Sequence, residues 1–223
     1  MTEYDNEPVR GLPGHLPAGE HIVWQGAPDW RTLARTALHT HIVAVYFGVL
    51  VFGRVVRGVV DADPLATTLS HASLLAGAGA AAVALLTLYA WLSARTTVYT
   101  LTNRRFVLRH GVAMPKAFNF PYKQVASAGL KVDGRGFGDI PVALAAGSKI
   151  AYPLLWPHAR PLRFTRPEPM LRAIPDAAAV AQTLSAQLQA VAREADRPFV
   201  AGAPAAEPAR EASLALAQPT VTA

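Results

Sequence analysis

Residues 69–92 read LSHASLLAGAGAAAVALLTLYAWL, a run without a formal charge. At about 1.5 Å rise per residue, roughly 20 apolar residues cross a hydrocarbon core, so this run predicts a transmembrane helix over 69–94. Upstream, residues 37–53 (ALHTHIVAVYFGVLVFG) form a second apolar stretch. Arg54 and Arg57 interrupt it, but their long stems reach an interface while Val55, Val56, Val59 and Val60 stay in the apolar layer. A first span over 37–60 then joins the second through a short acidic connection, 61–68, holding Asp61, Asp63 and Pro64. A mostly polar arm, residues 1–36, precedes the first span, which argues against a cleaved secretory signal. The short connection argues for a transmembrane hairpin over a buried core helix.

Cations set the expected orientation. Arg31 and Arg35 flank the first span and Arg95, Arg104, Arg105 and Arg109 follow the second, whereas the connection is acidic. Lys and Arg are retained on the cytoplasmic side, so both termini are expected there, in a multi-pass membrane protein. Arg54 and Arg57 near the outer surface count against this orientation without reversing it.

The 223 residues leave one modest domain outside the hairpin, and the absence of cysteine excludes disulfides, thiolate metal sites and cysteine nucleophiles. The net charge of +6 is uneven: residues 95–172 hold thirteen Lys and Arg against Asp133, Asp139 and Glu168. A basic domain tethered below a membrane is drawn to anionic lipid headgroups, at about 1 kcal/mol per well-placed cation. Nucleic acid, the other usual partner of such charge, is not expected, because the chain carries no recognition helix or aromatic RNA-binding motif.

In the arm, Ile22 and Trp24 alternate with Val23 and Gln25 as in a short strand, which Gly26-Ala27-Pro28 stops. Beyond Arg95 the chain turns β-rich. Strands are expected over 96–102, 105–109, around Phe118 and Phe120, and over 125–132, 140–144 and 150–155, joined by glycine turns as in an antiparallel sheet or small barrel. A helix follows, started at Pro175-Asp176, with Val180, Leu184, Leu188 and Val191 at helical spacing. Residues 195–223, rich in Ala and Pro, read as a disordered tail.

Three segments, Thr97-Val-Tyr-Thr-Leu-Thr-Asn-Arg-Arg105, Arg109-His-Gly111 and Phe120-Pro-Tyr-Lys-Gln-Val125, resemble the strand motifs of bacterial pleckstrin-homology (PH) domains attached to membrane hairpins. The resemblance implies a seven-stranded, strongly bent sheet capped by a C-terminal helix. Added to these, Gly19-Glu20, Trp24-Gln-Gly26 and Trp156-Pro-His158 resemble the PuhB family, photosynthetic-complex assembly proteins of purple phototrophic bacteria, over essentially the whole length. The expected fold is therefore an α+β membrane protein: a two-helix transmembrane hairpin plus a small antiparallel β PH-like barrel or sheet, residues 95–194, capped by its C-terminal helix. The resemblance implies a membrane-tethered factor in the bacterial inner (intracytoplasmic) membrane that helps assemble the reaction centre and core light-harvesting complex, with their polypeptides as partners. The PH-like segment alone would also serve a general lipid-surface or envelope-stress module.

Gly134-x-Gly136-x-Gly138 lacks the spacing of a dinucleotide fingerprint and the Lys-Ser/Thr of a phosphate loop, and reads as a β-turn. Ser93, Ser127 and Ser148 have no GxSxG context and the carboxylates form no pair, so no enzyme is expected. Seven histidines are scattered and no HExxH exists, so no metal site is expected. His41 and His71 are the candidates for ligating the magnesium of a bacteriochlorophyll, beside the commoner reading of interfacial histidines bonded to water or backbone. Arg104, Arg105 and Arg109 are candidates for lipid phosphates or an acidic partner, against a plain solvated face. Ala72, Ala76, Gly79, Ala80 and Val83 form a small-residue face, with Gly77-x-x-x-Ala81 a second track. Such faces allow close helix approach in lipid, here to the first span or to another helix, a second copy included.

Overall fold

The computed structural model describes residues 9–12, 14–145 and 150–195. The first strand, β1 (Ile22–Gly26), leads through helix α1 (Trp30–Thr36) into two long helices, α2 (Thr40–Val60) and α3 (Leu65–Thr96). Asp29 starts α1, its carboxylate accepting from the Thr32 N–H at 2.8 Å. The chain returns directly into β2 (Val98–Thr102), which pairs antiparallel with β1, Gly26 opposite Tyr99. The hairpin is thus inserted between two neighbouring strands of one sheet. The domain does not begin at residue 95, as expected, because the arm supplies its first strand. The 61–68 connection is also shorter than expected, since α3 already starts at Leu65.

β3 (Arg105–His110) and β4 (Lys116–Pro121) complete a sheet ordered β1-β2-β3-β4. The second sheet is built on β7 (Gly138–Leu144). Along one edge run β5 (Val125–Ala128) and β6 (Lys131–Val132), two halves of one interrupted strand, and along the other lies β8 (Met170–Ile174). All described pairings are antiparallel, and the two sheets do not close into a barrel, which settles the expected choice between the two. The glycine run is the β6–β7 turn: Asp133 accepts from the N–H groups of Arg135 and Phe137 at 2.9 and 3.0 Å. Those bonds, the Arg135 one foremost, hold its carboxyl below the usual range.

Residues 150–155 contain no strand; Tyr152–Leu155 form a short helix, α4, with Pro153 in its first turn, where a missing N–H costs nothing. β8 lies outside every expected strand. It runs between Pro169 and Pro175, and all five residues are buried. Helix α5 (Ala177–Ala195) packs Val180 and fully buried Leu184 against a core of Tyr99, Leu101, Phe106, Leu108, Ile140 and Leu171. Residues 196–223, most of the expected tail, lie outside the described residues, as does Ser148.

In the hairpin, α2 and α3 run antiparallel. A Cβ on Gly79 would come within 2.7 Å of the Phe47 Cβ, and one on Gly58 would strike Thr68. Both contacts give one register, which carries Thr40, the start of α2, opposite Leu86. α3 therefore continues about ten residues, or about 15 Å, past the start of its partner. Along that extension Ala90 packs against Ala34 and Leu38. Both helices are long and apolar enough to cross a membrane.

Candidate functional site

Polar side chains converge where α3 enters the sheet. His158 is fully buried, and its two ring nitrogens face Tyr99 Oη at 2.7 Å and Thr97 Oγ1 at 3.0 Å. The Tyr99 oxygen already accepts the Arg172 N–H at 3.0 Å, so its single proton is free to go to His158 Nδ1. The imidazole proton then lies on Nε2 and is donated to Thr97 Oγ1, which itself donates to the Ser93 carbonyl of α3 at 2.7 Å. One directed chain of hydrogen bonds thus runs from the backbone of β8 through Tyr99, His158 and Thr97 into the last turn of α3. Burial, with nearby His110 and Arg172 adding to it, holds the His158 pKa well below the usual range, so the ring is neutral. Burial also raises that of Tyr99. The Arg172 guanidinium, itself buried, donates to the Pro157 carbonyl at 3.0 Å. Trp156–Pro157 is a cis peptide bond, and Trp156 stacks on Tyr89 of α3 at 5.5 Å.

Two hollows flank this junction. A cleft of about 690 Å³ lies between α1 and the second sheet, lined by Thr36, His39, Leu130, Lys131, Glu168 and Arg172. A groove of about 210 Å³ lies between Tyr89 and Ser93 of α3, the β3–β4 turn with Lys116, and residues 153–157.

The three candidate arginines do not form one patch. Arg105 makes a two-pronged ion pair with Glu20, Nε to Oε1 at 2.7 Å and Nη2 to Oε2 at 3.1 Å. The Glu20 side chain is only 3% exposed, so Arg105 neutralises a buried carboxylate of the arm rather than offering itself to a lipid. Arg104 is exposed in the β2–β3 turn. Arg109 lies half-buried on β3, about 13 Å along the strand from Arg105.

The histidines proposed as pigment ligands lie apart, His41 at the first turn of α2 and His71 near the start of α3, at opposite ends of the hairpin. Arg54 Nη2 sits 2.9 Å from His71 Nδ1 and 3.1 Å from Asp63 Oδ2. A guanidinium only donates, so His71 must accept at Nδ1 and carry its proton on Nε2, leaving no lone pair for magnesium. In this arrangement both nitrogens of His71 are engaged as acceptor and N–H; His41 keeps an exposed ring. Among the described residues, no three His, Asp or Glu are grouped to hold a metal.

Of the small-residue face, Ala72 and Gly79 are buried against α2 and Val83 is half-buried. Ala76, Gly77, Ala80 and Ala81 are exposed. The packed line is Thr68, Ala72, Leu75, Gly79 and Leu86, set by the bulk of Phe47 and by Gly58 opposite.

The family model described as bacterial PH domain matches residues 41–188. A 23.7 kDa protein in the puhA 5′ region of Rhodobacter capsulatus is 36% identical over 220 residues, covering 97% of this chain and 98% of the relative. A crystal structure of a DUF1696 family protein with a pleckstrin-homology domain, from Shewanella loihica PV-4, is 16% identical at a TM-score of 0.28, covering 41% of this chain and 70% of that one. The whole-length relative is consistent with the PuhB-type resemblance of the motifs. The chain belongs to the bacterial PH domain family.

Proposed function

We propose that this protein is a non-catalytic, membrane-tethered factor that helps assemble the photosynthetic reaction centre and its core light-harvesting complex. The observation that carries the reading is the relative in the puhA 5′ region, alike over nearly the entire chain, hairpin and domain together. A position beside a photosynthesis gene supports a photosynthetic role for that relative and, through 36% identity, for this chain.

The membrane part rests on exposure. Val45, Val49, Phe52, Val59, Val60, Leu74 and Leu85 present large apolar side chains on the outside of α2 and α3. An apolar surface of that extent is stable in lipid, not in water. From Thr40 to Val60, α2 measures about 31 Å, one hydrocarbon core. Trp91, with the Arg95 guanidinium 4.7 Å above its ring, lies five residues past the level of Thr40, where an aromatic belt would stand. In this reading both termini and the PH domain are cytoplasmic, and the client is a reaction-centre or light-harvesting polypeptide. The exposed face of Ala76, Gly77, Ala80 and Ala81 is available to a client helix or a second copy.

Deletion of the gene in a phototroph tests the reading. The amount of core complex should fall while pigment synthesis continues. Normal complex levels and assembly rate in the deletion strain would reject it and leave the general lipid-surface module.

A further inference from the structure

We propose that the groove at the inner end of α3 seats a phospholipid headgroup of the leaflet through which the hairpin passes. Lys116 meets the phosphate, and Val112, Met114, Leu154 and Trp156 lie in the lipid around it. The inference rests on the reading of α2 and α3 as membrane spans.

Depth is the first argument. The hairpin register sets Thr40 opposite Leu86, so α2 begins, and the hydrocarbon core ends, at that level. Tyr89 lies about 4.5 Å and Ser93 about 10 Å beyond it along α3. The headgroup region adds roughly 5–8 Å to each side of the core. The groove between Tyr89 and Ser93 on one wall and the β3–β4 turn on the other is therefore centred about 7.5 Å beyond the core, in the headgroup layer, and opens past it at Ser93.

Its chemistry is the second. Val112 is 38% exposed, Met114 76%, Leu154 42% and Trp156 44%, and all four border the same groove around Lys116. Four exposed apolar side chains on two separate segments, meeting at the foot of a membrane helix, need an apolar phase; the cation between them needs an anion at its edge. A phospholipid supplies both at the depth calculated. The volume, about 210 Å³, suits a small headgroup rather than a pigment ring or a folded peptide. Gly111, at φ +125, places the Met114 carbonyl where a Cβ would collide, and so fixes the turn that carries Val112 and Met114. The Tyr89–Trp156 stack holds the opposite rim against α3.

The chain has no cysteine, so single-cysteine variants of the full-length protein accept one environment-sensitive fluorophore each. In nanodiscs of phosphatidylcholine and phosphatidylglycerol containing a lipid with a nitroxide high on its acyl chain, labels at Met114→Cys and Val45→Cys should be quenched. A label at Ser185→Cys, exposed on α5, should not. Quenching at Val45 with Met114 behaving like Ser185 would overturn the groove while leaving the spans standing; loss of quenching at both would overturn the spans as well. Lys116→Gln should weaken the preference for phosphatidylglycerol about fivefold, the worth of one well-placed cation, measured by native mass spectrometry of the lipid-bound protein. An unchanged preference, or displacement of phosphatidylglycerol by equimolar inorganic phosphate, would overturn the assignment to a lipid.

Discussion

The two ends of the hairpin are built from similar polar residues and fastened in opposite ways. At the outer end Arg54 bridges Asp63 and His71, Arg57 pairs with Asp61 at 3.2 Å, and Gly58 lets Thr68 close in. Every partner lies within residues 54–71, so this end is closed by the hairpin on itself. At the inner end the partners are distant in sequence: Ser93 and Thr97 are joined through His158 and Tyr99 to the backbone of Arg172. A locally fastened end can exist before the rest of the chain folds; a remotely fastened one forms only when both sheets are in place. The hairpin is thus oriented on the domain from one end alone.

The comparison is broken most severely by His158→Phe. It leaves the Tyr99 O–H without an acceptor in a buried site, at about 1–3 kcal/mol, and removes the donor to Thr97 Oγ1, which keeps its bond to the Ser93 carbonyl. Thermal unfolding of the detergent-solubilised chain should shift down by several degrees, and an unchanged midpoint would mean that the chain of bonds does not secure the junction.

The packed and open faces of α3 give the next effect. Gly79→Ala forces Phe47 or the helix to move and should cost about 1–3 kcal/mol. Gly77→Ala meets open space and should be neutral, or stabilising by up to about 1 kcal/mol, because alanine is the better helix former. Equal melting temperatures for the two variants would contradict the register on which the depth of the groove depends.

Acid acts on the inner end. His158 and His110 are both held neutral by burial, with folded pKa values below the usual 6.5. As pH falls through about 6.5, the unfolded chain takes up protons that the folded one refuses, and stability falls with it until the folded values are reached. Melting curves from pH 8 to pH 5 should show this decline in the native protein and a shallower one in His158→Phe. The smallest effect is expected outside: Arg54→Ala leaves Asp63, whose side chain is 35% exposed, able to reach water, and should cost about 1 kcal/mol or less.

What the sequence made legible follows the same division. The apolar stretches and the stripe of Val180 and Leu184 are local patterns and could be read directly. The role of His158 could not, because its partners lie 59 and 61 residues away. The arginines misled for the same reason: Glu20, which occupies Arg105, is 85 residues upstream. Within α3 both small-residue tracks satisfied the packing rule, and the choice was made by Phe47 and Gly58 on the other helix. Residues 150–155 are apolar throughout, a run whose period cannot separate a strand from a short helix. β8 was hidden because five residues between two prolines are too few to show alternation. The glycine turn alone among the site candidates was decided by neighbours, Asp133 capping its own loop.

Hydrogen exchange on the full-length chain in nanodiscs, native against His158→Phe, separates the two ends of the hairpin. Amides of residues 93–102 and 170–174 should lose protection together, while those of residues 54–71 stay as protected as before. Unchanged exchange at residues 93–102, or equal loss at both ends of the hairpin, would mean that His158 does not fasten the inner end to the domain.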